Sequence, residues 1–229
     1  MHQLNRSTGR QACLLYALLA VSAPIGLMVV PAQLYDAADA ALTASRIADR
    51  SWLLRLGIAS ELFHQAVQVY LMLVLYDFFK PVSASLARQA AVLGLVSIPI
   101  TFLNVLNEVA ALTLVSGADF LAPFSKPQLD AAVLFFMRLH ADGLQVAAVF
   151  WGLWLFPLAM LLWRLGGVRK LVAALVATAG GGYVVGATTA LALPQFEPQL
   201  RGWLQLMIMG EMAVIVWFVG FSLRRQSAP

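Results

Sequence analysis

Residues 53–79, LLRLGIASELFHQAVQVYLMLVLYDFF, form an apolar run that carries Glu61 and His64 inside it. A bilayer core of about 30 Å is crossed by roughly 20 apolar residues in a helix. No other local structure satisfies backbone polar groups inside lipid without closing a barrel. The run is therefore a membrane span, and Glu61 and His64, well inside it, are costly there and mark a place where function would sit. Working outward, comparable runs lie at 11–34, 89–115, 138–164, 169–193 and 199–223. The expected fold is all-α: a polytopic membrane protein with six transmembrane helices in one bundle.

Composition agrees with the spans. Of the 229 residues, 61% are hydrophobic and 11% charged, and the mean hydropathy is +0.82; a soluble domain carries about twice that charge. The spans and their connections use up the chain, so residues 1–229 read as a single integral membrane domain. Cys13 is the only cysteine, which excludes an internal disulfide and a cysteine-pair metal site. The net charge of +4 comes from Lys and Arg near the span ends, a pattern of membrane orientation and not of nucleic-acid binding. Arg6, Arg10, Lys80, Arg88, Arg164, Arg169, Lys170, Arg224 and Arg225 fall on one side, against Arg46, Arg50, Lys126 and Arg201 on the other. The positive-inside rule makes the richer side, with both termini, cytoplasmic. The first span is too long for a signal peptide and reads as a retained helix.

Two local patterns refine this. Ser125-Lys126-Pro127-Gln128 has the form of a capping box, so a helix should start there, before the fourth span. Unbroken to Arg164 it would run about 58 Å, so it must project, tilt, bend or begin as an interfacial segment, with Gly143 and Pro157 as bend points. In the fifth span Ala174, Thr178, Gly182, Gly186 and Ala190 recur every four residues, a small-residue stripe suited to close helix packing.

Helical periodicity then sorts the polar residues. Glu61, His64, Gln65 and Gln68 share a face of the second span. Ser97, Thr101, Asn104 and Glu108 form a stripe on the third, with Asn107 beside it. On the fourth, Arg138, Asp142 and Gln145 share a face while His140 points nearly opposite, so His140 and Asp142 are not a chelating pair. Depth places Glu211 near mid-membrane, and the set as a whole leans outwards, suggesting a polar cavity that opens away from the cytoplasm. Plain readings stand beside the functional ones. Arg138 with Asp142 makes an i, i+4 ion pair, Glu108 snorkels or bonds Asn104, Gln65 and Gln68 are interhelical glue, and His64 is an interior histidine with a partner. Glu61 and Glu211 are hardest to dismiss, because an acid inside a span needs a partner, a proton or water. The candidate ligand or proton site is Glu61, His64, Glu108, His140 and Glu211.

Glu61-x-x-His64 is half of a di-iron bundle motif, present here once. A mononuclear set of Glu61, His64, His140 and one of Glu108 or Glu211 is conceivable, since His and carboxylate suit zinc or iron. There is no phosphate loop, nucleophile elbow or His-Glu-x-x-His motif, and no cofactor or metal is assigned from the sequence.

Lys80-Pro81-Val82 after a span, Leu114-Val115-Ser116-Gly117-Ala118-Asp119-Phe120-Leu121, Leu139-His140 followed by Gly143, and Gly210-Glu211 resemble the bacterial membrane family called domain of unknown function 4386, over nearly the whole chain. The resemblance implies a multi-pass protein of the bacterial inner (plasma) membrane. It includes an acid at Glu61, the histidine at His140 and the Gly-Glu pair of the last span, and it brings no activity with it. The chain departs from the family pattern at Gln68, where the resemblance implies Asp, and at Trp154, where it implies a second histidine; both departures weaken a metal or haem site built there.

The expected function is non-catalytic: a bundle that binds or passes a small ligand or proton, or a partner subunit for another membrane protein. The alternative is an intramembrane metal-dependent enzyme, a hydrolase. The expected partners are the lipid bilayer and a small ligand or membrane protein, and not nucleic acid.

Overall fold

A computed structural model describes residues 4–223, which are helical almost throughout, with no strand among the described residues. Arg224 and Arg225, counted above towards the cytoplasmic charge, lie outside them. The helices are α1 (Arg6–Pro24), α2 (Val30–Leu34), α3 (Ala40–Asp49), α4 (Ser51–Leu114), α5 (Lys126–Leu153), α6 (Leu155–Leu165), α7 (Arg169–Ala192), α8 (Glu197–Ile208) and α9 (Met212–Leu223). Five helical stretches, Arg6–Leu34, Ser51–Leu114, Lys126–Leu165, Arg169–Ala192 and Pro194–Ser222, are long and apolar enough to cross a membrane. Large apolar side chains also face outwards, Val21, Leu103, Leu171 and Val216 each about two-thirds exposed. Such a surface suits acyl chains and not water. This is a multi-pass membrane protein.

The helix breaks have local causes. Between α1 and α2 the chain takes a π-helical turn, Ile25–Val29, in which the Val30 N–H bonds the Ile25 carbonyl. Pro31 follows at once, and the wider turn relieves the clash its ring would make with the preceding turn. Within α4, Ser83 adopts an extended backbone just after Pro81, and its hydroxyl caps the returning helix by accepting from the Leu86 N–H at 3.5 Å. Gly94 lies against the Met72 side chain, so the chain doubles back at Ser83. The reversal is far tighter than the loop of about nine residues that the spans implied. Pro157 sets the break at Trp154 between α5 and α6, because it cannot donate to the carbonyl one turn back. Gly143, the other expected bend point, lies inside the unbroken α5. The capping box forms at the start of α5, where the Ser125 N–H donates to Gln128 Oε1 at 2.8 Å. Gly166 and Gly167 turn the chain into α7 with φ of 72° and 61°, values that favour glycine.

The described chain divides into two compact units. One comprises residues 19–66 and 99–144 and includes α2, α3 and parts of α1, α4 and α5. Its apolar core brings together Val30, Leu34, Ile47, Leu54, Val133 and Met137. Helix α3 was not foreseen; it starts at Asp39, whose carboxylate accepts from the Leu42 N–H at 2.8 Å. The second unit comprises residues 4–18, 67–98 and 145–223 of the described chain. Its core is aromatic: Phe78 meets Phe79 edge-on at 4.9 Å and Trp217 meets Phe218 at 4.8 Å. The small-residue stripe of α7 packs only in part. Ala174 and Thr178 are exposed, whereas a Cβ on Gly182 would come within 2.9 Å of Met207 Cβ. An equally close approach, here to backbone, is off the stripe at Gly180, where a Cβ would lie 2.9 Å from the Gly152 carbonyl.

Candidate functional site

The polar stripe of the third span is buried as its periodicity requires. Thr101 and Glu108 are fully buried and Asn104 nearly so. Glu61 on the preceding pass of α4 and His140 on α5 meet this stripe within the first unit, and both are also buried. Glu61, Glu108 and His140 each offer one ligand atom, and these atoms lie within 4.8 Å of one another. His140 Nε2 stands 3.3 Å from Glu61 Oε1, an ion pair only when the imidazole is protonated. Among the described residues, both oxygens of Glu61, both of Glu108 and His140 Nε2 have no hydrogen-bond partner. A carboxylate brings no donor of its own. Leaving such groups buried and unpaired costs roughly 1–3 kcal/mol each, more when they are charged. A proton, a water molecule or a cation would each supply what the centre lacks.

The centre is held by neutral contacts. Asn104 Nδ2 donates to the His140 backbone carbonyl at 2.8 Å and lies 3.2 Å from His140 Nδ1. Asn107 Nδ2 donates to Asn104 Oδ1 at 2.9 Å, which fixes which end of the amide faces the histidine. Gly143, one turn beyond His140, leaves the space that the Asn104 side chain fills, so any Cβ there would overlap it. The glycine read from the sequence as a bend point is a seat for Asn104. On another side, Gly26 of the π-helical turn faces Glu61, whose Cγ would be 2.7 Å from a Cβ at that position.

The remaining sequence candidates are placed elsewhere. His64 is partly buried, and its Nδ1 lies 3.2 Å from Ser22 Oγ; it is not among the three converging residues. Glu211 belongs to the other unit, on the 3-10 turn Met209–Glu211 between α8 and α9, and accepts from the Tyr183 hydroxyl at 3.0 Å. Beside it, Gly210 packs against the Leu175 carbonyl. Arg138 does not need Asp142, because its guanidinium reaches back to the Ala37 carbonyl. Gln65 and Gln68 are buried, while Asp142 is exposed. The first unit also has a cavity of about 460 Å³ between α3, the 114–124 connection and the start of α5, but Glu61, Glu108 and His140 do not line it. Gly26 and Tyr183 are positioning residues that sequence reasoning passed over, while Asn104 and Gly143 were read there in other roles. For Gly143 a signal existed, since it stands three residues beyond His140 on the same face.

No curated protein and no solved structure matches the chain. The family described as domain of unknown function (DUF4386) matches residues 12–220, a stretch that includes α2 to α8 entire and every residue of the centre. By that match the chain belongs to the DUF4386 family.

Proposed function

We infer that the protein is a six-pass, single-domain bundle of the bacterial inner membrane that binds a small cation, a proton or a metal ion, at Glu61, Glu108 and His140. The observation that carries this is the set of four carboxylate oxygens and His140 Nε2, all buried and without a hydrogen-bond partner. The reversal at Ser83 supports reading α4 as two passes, which with the other four apolar stretches would make six. The 40 residues of Lys126–Leu165 exceed one bilayer thickness, so the first turns of α5 project to the outer interface. Excess Lys and Arg on the Lys80 and Lys170 loops support cytoplasmic termini. A periplasm-active reporter fused after Arg225 is expected to be silent; strong activity would reverse the orientation.

Binding is preferred over catalysis because the centre is enclosed and does not line the cavity of its unit. The second reading, an intramembrane metal-dependent hydrolase, draws on the same residues, since three protein ligands leave a position for water. The binding reading is tested by thermal unfolding of the purified full chain between about pH 5 and 8, where imidazole titrates, with chelator or with added divalent metals. The midpoint is expected to respond to protons or to metal, as it must for any species that binds only the folded state. A midpoint indifferent to both would overturn the reading.

A further inference from the structure

The geometry points to Glu61, Glu108 and His140 as the protein ligands of one divalent metal ion of the zinc, iron or manganese class. This rests on the cation-binding reading above and narrows it. Charge is the first argument. Two carboxylates beside a neutral imidazole carry a formal charge of −2, which one divalent ion cancels without leaving a buried excess of either sign.

Spacing is the second. A proton shared between these groups would draw oxygen and its partner to about 2.5–3.0 Å. His140 Nε2 and Glu61 Oε1 instead stand 3.3 Å apart, and the three ligand atoms all lie within 4.8 Å of one another. Ligands about 2.1 Å from a tetrahedral ion lie about 3.4 Å from each other. The centre is wider than a hydrogen bond needs and close to what an ion needs.

Orientation is the third. A metal-bound histidine usually turns its other nitrogen to a carbonyl or carboxylate that fixes the tautomer. Here Asn104 holds the Nδ1 side of the His140 ring, with its Nδ2 at 3.2 Å and its backbone carbonyl at 3.4 Å, so that Nε2 faces the two acids; with the proton on Nδ1 and bonded to that carbonyl, Nε2 would present its lone pair to an ion. The ligand types then select the ion: imidazole suits zinc and iron, carboxylate suits manganese, and no cysteine is present in the set.

The test is elemental analysis of the full chain purified in detergent without chelator, followed by titration of the chelated protein with zinc, manganese and cobalt. About one ion per chain is expected. Glu108→Gln, which keeps the shape of the side chain, should weaken binding at least about tenfold, as even outer-shell changes do. His64→Gln should retain the ion. Cobalt absorption bands of the wild-type protein provide a readout that needs no variant. A wild-type chain that carries no metal, takes up none and gives no cobalt bands would overturn the proposal. If its stability still responded to pH, the cation reading would stand with the proton as the cation. Equal loss in His64→Gln and Glu108→Gln would overturn the ligand set.

Discussion

Glu211 and the pair Glu61–Glu108 are acids within apolar spans, but they are housed differently. Glu211 sits on a helix break and accepts from a tyrosine hydroxyl of its own unit. Glu61 and Glu108 lie on unbroken helix, facing an imidazole and each other, without a donor. A half-buried acid with a neutral donor has its partner, and that bond ties the 209–211 turn to α7. Buried acids without hydrogen-bond partners are incomplete, and the cation proposal rests on that difference. The sequence placed Glu211 deepest in the membrane and so gave it prominence, whereas partnering moves the functional weight to the other pair.

Substitutions can break this contrast. Gly210→Ala should have the largest effect, a loss of about 3 kcal/mol in detergent unfolding, because its Cβ would meet the Leu175 backbone carbonyl, which cannot turn aside. Gly143→Ala should cost less, about 1–2 kcal/mol, since it displaces the Asn104 side chain and not backbone; it should also weaken cation binding, which Gly210→Ala should not do. Tyr183→Phe should cost about 1–2 kcal/mol by orphaning Glu211 Oε2. Glu108→Gln should have the opposite sign in cation-free buffer, stabilising by about 1 kcal/mol, because its amide brings donors to a set that has only acceptors. The smallest effect belongs to Glu211→Gln, within about 0.5 kcal/mol, since the amide oxygen still accepts from Tyr183. If Glu108→Gln and Glu211→Gln shifted stability alike, the two centres would not differ in kind.

What could be read from the sequence was whatever one helix decides alone. The stripe of Ser97, Thr101, Asn104 and Glu108 is buried as its spacing required, and Ser125 and Gln128 cap α5 as their types required. Periodicity names a face but not the helix it meets. It could not say that Glu61 faces His140 and Glu108 while Glu211 faces Tyr183, because those pairs are 79, 47 and 28 residues apart, a separation that only tertiary packing bridges. Glycines misled for the same reason: Gly143 looks like a hinge within its own helix and becomes a seat once Asn104 is opposite it. Helix α3 escaped because it is short and lies between spans, although its Asp39 cap was visible.

The π-helical turn at Ile25–Val29 acts as a phase shifter. It carries one residue more than an α-helical path of the same rise, so the helix on its N-terminal side is rotated about 100° relative to the helix on its C-terminal side. Val30 and Leu34 are thereby locked in the apolar core while Gly26 turns towards Glu61 and Ser22 towards His64. Loss of a single residue such as Leu27 would restore an ordinary helix without disturbing Val30 or Leu34, yet it would swing Gly26 and Ser22 off their partners. For this helix the count of residues between Ser22 and Val30 is as much a part of the acidic centre as the identity of any of them.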